Sequence, residues 1–283
     1  MKKRIIIIVG CILGVVLLTA LLIPKRVYQK WFNKDEQNET GYNILVYVKN
    51  NKNQIVGINV PVANLEEDQI RQKWDIMTKN ANILPDGFTS ALSSDLVLNE
   101  YVIENGKLKL NVSDNITNQT KQSLEAMVWT FVDDDIEELE LYVGDELVSE
   151  VTDWSIRKLN KQMGVNFTYE TLYLHESTAT TVVYQEDNYI LPVTYFHLSD
   201  DVCDYIVMKI LDNVDNSTYE YTLTDSVLTI DFVDASILTT NQIASISESV
   251  ALNFELNSLN INPMKTWNVF QMPLKSYYYE ELE

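Results

Sequence analysis

The sequence predicts an α+β protein in which an N-terminal transmembrane helix is followed by two tandem domains, each with the element order β-β-α-β-β-α-β. Three observations support this fold class. Residues Ile5–Ile23 form an uncharged apolar run. Further along the chain, apolar residues at alternating positions, the period of a strand, give way to apolar residues at helical spacing. This change occurs in Lys107–Val132 and again in Leu228–Phe254, which indicates an internal repeat.

The apolar run is predicted to be an uncleaved membrane anchor. At 1.5 Å per residue, a helix of its nineteen residues just spans the ~30 Å hydrocarbon core of a bilayer. Lys2, Lys3 and Arg4 precede it, and this basic leader places the amino terminus inside and the rest of the chain outside the cytoplasm. We therefore expect a short cytoplasmic tail at residues 1–4, the transmembrane anchor at 5–23 and a polar tether at 24–41.

Two other interpretations of the N-terminus stay open. The run Ile8-Val9-Gly10-Cys11 resembles a lipobox, which would make the chain a lipoprotein attached through Cys11. The apolar stretch before Cys11 is only six residues long and continues to Ile23, whereas the apolar region of a signal peptide runs for about 7–15 residues and ends at its cleavage site. A cleaved secretory signal is disfavoured because no small-x-small site ends the run.

The charge of the chain excludes one class of partner. The formal net charge is −20, and the first thirty residues carry six basic and no acidic side chains, which leaves 15 basic against 41 acidic residues over positions 31–283. Such an acidic body repels phosphate polymers, so we predict no nucleic-acid partner. Teichoic acids and anionic lipid headgroups are disfavoured as ligands for the same reason.

The first domain is predicted over residues 42–148 and starts with a hairpin. Asn43–Val48 and Gln54–Val60 are apolar runs on either side of a polar turn. Residues 64–78 follow as a helix, because Asn64 can cap its start and its apolar residues recur at helical spacing. The LPDG at residues 84–87 then makes a turn, since proline fixes φ and glycine permits a positive φ.

A second hairpin and a helix complete this domain. Asn105-Gly106 is a strong turn signal between two strands. The predicted elements are strands at Glu100–Ile103 and Lys107–Val112, a helix over Thr117–Phe131 capped by Thr117 or Asn118, and a strand at Glu138–Val143.

The second domain is predicted over residues 179–275 and repeats this order, with residues 276–283 as a tail. Its predicted elements are a hairpin of Thr181–Gln185 and Tyr189–Tyr195, a helix at Ser199–Leu211, strands at Tyr219–Thr224 and Val227–Phe232, a helix at Asn241–Phe254 and a strand at Leu259–Ile261. The two copies match at an offset of 120 in the strands (Leu108 with Leu228) and 123 in the following helix (Glu125 with Glu248, Phe131 with Phe254). We therefore interpret the chain as a tandem duplication.

The inter-domain segment, residues 149–178, is rich in aromatic and apolar residues. It contains Trp154, Phe167, Tyr169, Leu172, Tyr173 and Leu174. These side chains either pack the two domains together or form an exposed surface for a partner, and packing is favoured because the segment is too apolar for a free linker.

Five stretches of the first predicted domain form a recognisable pattern: ILVYV, WDIMT followed by LPDG, GKLKLNVS, SLEAMVWTFV and ELELYV. The resemblance that they carry is to a known family, the sporulation and germination domain named after GerM, which often occurs in tandem. It covers Asn43–Val148 and Ala179–Met272, although the second copy has DNSTYEY in place of LPDG. The resemblance implies a membrane-attached or lipid-attached envelope protein of a Gram-positive bacterium, linked to spore assembly or germination and without enzymatic activity.

The residues themselves predict no catalytic, cofactor or metal site. The chain has two histidines, His175 and His197, and neither has another ligand type at metal-binding spacing, so both are interpreted as structural. No nucleophile, phosphate-loop or zinc motif occurs. Cys203 lies on an apolar helical stripe and is predicted to be buried. The acidic run Phe131–Val143 lacks the loop glycine of a calcium site, and we interpret it as a solvated helix end leading to an edge strand.

The function expected from the sequence is that of a non-enzymatic, membrane-anchored extracytoplasmic scaffold or docking module. Its expected partners are envelope or sporulation proteins, its own copies, and the membrane through residues 5–23, with peptidoglycan as a further candidate. The alternative is a receptor for peptidoglycan or for a small ligand, in which aromatic and carboxylate side chains would converge in one pocket. The sequence identifies no ligand-binding residues, partner or oligomeric state.

Overall fold

The element order predicted for each half of the chain is present in the computed structural model, which describes residues 42–66, 68–133, 135–186, 188–211, 219–233, 238–262 and 266–267. The predicted tail at 1–4, anchor at 5–23, tether at 24–41, lipobox Cys11 and C-terminal tail at 276–283 lie outside these residues. Among the described residues, no helix has the length and apolar character needed to cross a bilayer.

The first half of the described chain holds seven strands and two α-helices. They are β1 (Tyr42–Asn50), β2 (Ile55–Val62), α1 (Gln69–Met77), β3 (Phe88–Thr89), β4 (Leu98–Glu104), β5 (Lys107–Val112), α2 (Lys121–Phe131), β6 (Glu138–Val143) and β7 (Glu146–Leu147). Gly87 of the predicted turn has a φ of +87°, and Asn105 and Gly106 both have positive φ between β4 and β5. These are the backbone conformations for which the turn residues were expected.

The inter-domain segment contains short elements only. They are β8 (Glu150–Val151), β9 (Trp154–Ser155), a 3₁₀ turn at Lys161–Met163, β10 (Thr168–Tyr169) and a second 3₁₀ turn at Leu174–Glu176. The second half then adds β11 (Thr178–Gln185), β12 (Ile190–His197), α3 (Val202–Leu211), β13 (Tyr219–Thr224), β14 (Val227–Phe232), α4 (Thr240–Asn253), β15 (Ser258–Asn262) and β16 (Thr266–Trp267).

Each half contains the same β-α-β crossover in the same register. In the first half, α2 connects the parallel strands β5 and β6, with Lys107 opposite Glu138. In the second, α4 connects the parallel strands β14 and β15, with Val227 opposite Ser258. Both pairs of equivalent residues are 120 positions apart, so the predicted strand offset is confirmed.

The predicted helix offset of 123 is wrong by one helical turn. The caps of the two helices are Thr120, whose side chain accepts from the Ser123 N–H, and Thr239, whose side chain accepts from the Gln242 N–H. These caps are 119 positions apart, four fewer than the predicted offset. Because four residues are close to one turn, the wrong register still placed apolar residues on the same face. The predicted offset relied on matching Asn118-Gln119 with Asn241-Gln242. The first pair precedes its helix cap and the second follows its own.

The predicted helix starts also need correction. The first helix is capped by Asp68 rather than Asn64, and α2 by Thr120 rather than Thr117 or Asn118, because residues Asp114–Asn118 form a 3₁₀ helix before it. Helix α3 begins at Val202, three residues after the predicted start.

The two halves share one sheet, which the sequence did not predict. Strand β11 pairs with one edge of β12 along its whole length. The other edge of β12 pairs with β2 of the first hairpin at Ile190 and with β10 at Tyr195 and Phe196, and the sheet continues from β2 through β1 to β3. Neighbouring residues of β11 point to opposite faces, so Val182 packs into the core of the second half and Val183 into the core of the first. The halves are therefore joined by backbone pairing as well as by apolar packing.

Helix α4 covers the outer edge of β11. The hydroxyls of Ser249 and Ser245 accept from the N–H groups of Val183 and Gln185, both at 2.8 Å. The Asn253 side chain bonds both the N–H and the C=O of Thr181. Four residues of helix rise by about 6 Å and two residues of strand by about 6.6 Å, so the two spacings match. A strand edge that could recruit another chain is thereby closed.

Candidate functional site

The joint between β2 and β12 is completed by the side chain of Asn166. The register that places Ile190 opposite Gly57 brings Pro192 opposite Ile55, and proline has no N–H to donate across the gap. The Asn166 amide fills this place. Its Nδ2 donates to the carbonyl oxygens of Ile55 (2.6 Å) and Pro192 (2.7 Å), and its Oδ1 accepts from the Ile55 N–H (2.8 Å). A side chain of the inter-domain segment therefore links the two halves.

Beside this joint lies a polar pocket of about 410 Å³. Three separate parts of the chain build it: the turn between β1 and β2, the first turns of α2, and the inter-domain segment. Its lining consists of Asn53, Gln54, Lys121, Gln122, Glu125, Asp153, Asn166, Phe167 and Thr168. Among these residues amides and charged groups predominate, so the pocket offers hydrogen bonds and charge to a small polar molecule rather than a nucleophile activated by a base.

An ion pair with a buried carboxylate lines this pocket. Glu125 is 5% exposed and pairs with Lys121 at 3.2 Å. Burial raises the pKa of the Glu125 carboxyl, while the Lys121 ammonium and the Asn166 N–H oppose that rise. The Lys121 ammonium also lies 3.5 Å above the Phe167 ring centroid, and the Lys121 N–H donates to Asp153 at 2.7 Å. Lys121 thus covers the aromatic face that a ligand would otherwise use.

A second carboxylate with a raised pKa, that of Glu248, is half-buried on α4 of the second half. Glu248 accepts from the Gln185 amide at 2.7 Å. Burial raises the pKa of Glu248 to about 7, against an opposing effect of Lys161. The pKa of Tyr47 on β1 is raised by burial and by the charge of Glu248. The protonation of one carboxyl is therefore coupled to residues of both halves.

The inter-domain aromatics divide between packing and exposure. Trp154 packs against the first core, and Phe167 stacks on Phe196 with ring centroids 5.8 Å apart. Other large apolar side chains lie open to solvent. They are Tyr169 (60% exposed), Leu172 (96%), Tyr173 (69%), Leu174 (50%) and, from the end of β12, Leu198 (54%), which together we call the loop surface. The predicted packing is therefore confirmed for Trp154 and Phe167, whereas the partner surface stays a prediction that the exposed residues allow.

The two histidines have different environments. The His197 ring is buried, stacks on Tyr205 with centroids 3.5 Å apart, and places Nε2 2.8 Å from the Thr180 hydroxyl. Burial lowers the pKa of His197. These contacts favour the structural role that was predicted for it. His175 is exposed in a 3₁₀ turn.

The predicted burial of Cys203 is confirmed, since it is 2% exposed. Its pKa is raised to about 12, chiefly by burial and further by Asp201 and Asp204, which keeps the thiol protonated.

The acidic run after α2 is held by hydrogen bonds and ion pairs. The Asp133 carboxylate accepts from the N–H groups of Asp135 and Ile136, and Glu140 pairs with Lys107 at 2.7 Å. Within the described ranges, no group of three or more potential ligands could hold a metal ion. The interpretation of β6 as an edge strand is wrong, because β6 lies between β5 and β7 and its Leu139 N–H donates to Leu159.

Lys121, Glu125 and Asn166 are not among the residues that the sequence predicts for a site. Glu125 has a sequence signal nonetheless, because an acidic residue within the apolar face of a predicted helix indicates a buried ion pair. Asn166 carried no comparable signal, because its role depends on a proline 26 residues away in a strand whose partner was unknown.

Similarity to known proteins is found at the level of the fold and not of the sequence. No family model matches the sequence, and no curated protein matches it either. Among solved structures, the tandem GerMN domains of the sporulation protein GerM from Bacillus subtilis align with 78% of this chain and 90% of their own length, at a TM-score of 0.66 and 17% identity. The first GerMN domain of that protein aligns over 43% of this chain and 98% of its own length, at a TM-score of 0.39 and 19% identity. The tandem GerM-type fold predicted from the sequence is confirmed by the first of these alignments.

Proposed function

We propose that this chain is a non-enzymatic, membrane-anchored extracytoplasmic envelope protein whose tandem GerM-type unit serves as a scaffold or docking module. The loop surface carries this proposal. Its five large apolar side chains are 50–96% exposed, and contiguous exposed apolar residues mark interaction sites. They are presented by a unit whose halves share a sheet, and a shared framework of this kind suits a docking role.

The proposed setting is sporulation, germination or cell-envelope assembly in a Gram-positive bacterium. Two observations support it. A solved structure with the same fold belongs to a sporulation protein of Bacillus subtilis. The basic leader and nineteen uncharged residues at the start of the sequence favour a single-pass anchor, with most of the chain outside the cytoplasm.

The docking role is tested by complementation in a strain of the encoding organism that lacks the chain. Full-length chain with Leu172→Ser and Tyr173→Ser should fail to restore whichever of spore formation, germination or envelope integrity the deletion impairs. A matched control with Leu147→Ser and Val233→Ser also removes two exposed apolar side chains (58% and 81% exposed) and should restore it. Full complementation by the loop variant would overturn the docking role.

The anchored location has its own test. Full-length chain with a C-terminal tag should sediment with membranes, resist extraction by salt, and lose its tag when protease is added to cells whose wall has been removed. A tag protected from protease until the membrane is permeabilised would overturn the extracytoplasmic location.

A second candidate function is binding of peptidoglycan fragments or another small polar ligand. The 410 Å³ pocket beside Asn166 favours it, because carboxylate, ammonium and amide groups converge there. Calorimetric titration of full-length chain with purified peptidoglycan fragments tests this function, with Asp153→Asn and Gln122→Ala expected to weaken binding. Absence of heat at millimolar fragment would exclude it.

A further inference from the structure

The loop surface is contiguous because of the strand topology around β12. Strand β10 lies along one edge of β12, opposite Tyr195 and Phe196, and β11 begins on the other edge, opposite His197. The connection Glu170–Ser177 must therefore pass over the carboxyl end of β12. The chain leaves β12 at that end through Leu198. Leu172, Tyr173 and Leu174 consequently lie over the strand end from which Leu198 emerges.

This connection is held in place by its own contacts. The Tyr169 ring stacks on Phe196 with centroids 5.1 Å apart and planes within 10°. The Glu170 carboxylate accepts from the Tyr205 hydroxyl (2.7 Å) and pairs with the Lys209 ammonium (2.5 Å). The other end is held by the pairing of Thr178 with His197. Anchoring both ends limits the conformations open to the residues between them, which reduces the entropy lost on binding.

The rim of the loop surface is acidic. The stretches 168–178 and 196–205 contain no lysine or arginine and five carboxylates, Glu170, Glu176, Asp200, Asp201 and Asp204. Lys209 neutralises Glu170. Glu176 and Asp200 are exposed and lie two residues from Leu174 and Leu198, respectively. An apolar centre with a negative rim is complementary to an apolar centre with a positive rim.

We propose that the loop surface docks a protein segment that presents leucine or aromatic side chains with lysine or arginine beside them. A second copy of this chain fits less well, because it would bring an identical acidic rim and a body of 15 basic against 41 acidic residues. Anionic bilayers are repelled by the same charges. The proposal rests on the docking role proposed above and specifies the chemistry of the partner.

The test measures binding of two synthetic probes to full-length protein in detergent micelles at physiological ionic strength. One probe is a short amphipathic helical peptide of leucine and lysine, and the other has glutamate in place of every lysine. Fluorescence anisotropy should give binding of the lysine peptide only. Leu172→Ser with Tyr173→Ser should weaken it by about tenfold or more, and Leu147→Ser with Val233→Ser by less than about twofold. Glu176→Lys with Asp200→Lys should weaken the lysine peptide and allow the glutamate peptide to bind.

Several results would overturn the proposal. Equal affinity of the lysine peptide for wild type and both apolar variants would mean that the overall negative charge holds it. Equal binding of both peptides to wild type would remove the role of the rim. If the protein forms dimers in light scattering and only the loop variant fails to form them, the surface is assigned to a second copy. If the protein binds phosphatidylcholine vesicles and only the loop variant fails to bind them, the surface is assigned to a bilayer. Failure of the peptides together with failure of the loop variant in cells would overturn the partner's chemistry and leave the docking role standing.

Discussion

Replacing Asn166 by glycine tests whether one side chain joins the two halves. Asn166 has a φ of +47°, which glycine adopts freely, so Asn166→Gly keeps the backbone and removes only the amide. Three hydrogen bonds to Ile55 and Pro192 are lost. Asn53 is the matched control, because it is also an asparagine at positive φ (+58°) but contacts its neighbours through its backbone, as in the bond from Gln122 to the Asn53 carbonyl.

The expected loss follows from the number and burial of these bonds. Each bond contributes a net ~0.5–1.5 kcal/mol, so three contribute ~1.5–4.5 kcal/mol. Ile55 is fully buried, so water does not readily replace the amide at its N–H and C=O. Glycine also increases the freedom of the unfolded chain, by up to ~1 kcal/mol. We expect Asn166→Gly to lower the free energy of unfolding by about 3 kcal/mol.

The assay is urea denaturation of residues 43–283, followed by circular dichroism and by tryptophan fluorescence. Asn53→Gly should change the free energy of unfolding by less than ~1 kcal/mol, which isolates the effect of the Asn166 amide from that of glycine. A loss for Asn166→Gly no larger than that of the control would refute the role of Asn166 as a link between the halves.

Three further predictions concern other buried or half-buried polar groups. The pKa of Glu248 in the folded state is about 7, above its ordinary 4.5, so its contribution to stability is present below pH 4.5 and lost as the pH rises to 7. In urea titrations the wild type should therefore lose about 3 kcal/mol of unfolding free energy between pH 4.5 and 8, and Glu248→Gln should not show this loss. Lys121→Met leaves Glu125 buried without its cation and should cost ~2–4 kcal/mol at pH 8 and less at pH 5, and adding Glu125→Gln should restore most of it. Ser249→Ala should cost ~1–3 kcal/mol and speed hydrogen exchange at the Val183 amide. The first prediction is contradicted if Glu248→Gln loses as much stability between the two pH values as the wild type does. The second is contradicted if the Lys121→Met, Glu125→Gln double variant is no more stable than Lys121→Met alone, and the third if hydrogen exchange at the Val183 amide is unchanged.

Local signals were sufficient to predict most strands. The predicted bounds of β5, β6, β13 and β14 are those observed, because each strand combines a period of two with a clear turn signal at one end. Helix starts were less determined, since several residues near each start could accept a capping hydrogen bond and only one does. The one-turn error between the two crossover helices has the same origin, because a helix shifted by four residues presents the same face.

Features that join distant parts of the chain could not be predicted. The pairing of β2 with β12 depends on which edges remain open after each hairpin has formed, and no local pattern encodes that choice. The role of Asn166 follows from this pairing. The Lys121–Glu125 ion pair lies within one helix, but the contact of Lys121 with Phe167 depends on where the inter-domain segment lies. The sequence predicts that the inter-domain segment either packs or forms a partner surface. Which of its aromatic residues are packed, as Trp154 and Phe167 are, and which are exposed depends on the positions of β10 and β12.

The most direct test of the docking role is photo-crosslinking from the loop surface in living cells. Full-length chain carrying a benzophenone-containing phenylalanine in place of Leu172 is compared with a chain carrying it in place of Val233, which is 81% exposed. Mass spectrometry then identifies the crosslinked peptide. The account predicts one partner from position 172, joined through a segment with leucine or aromatic residues beside lysine or arginine, and no such product from position 233. The absence of a crosslink from position 172, or the same products from both positions, would contradict it.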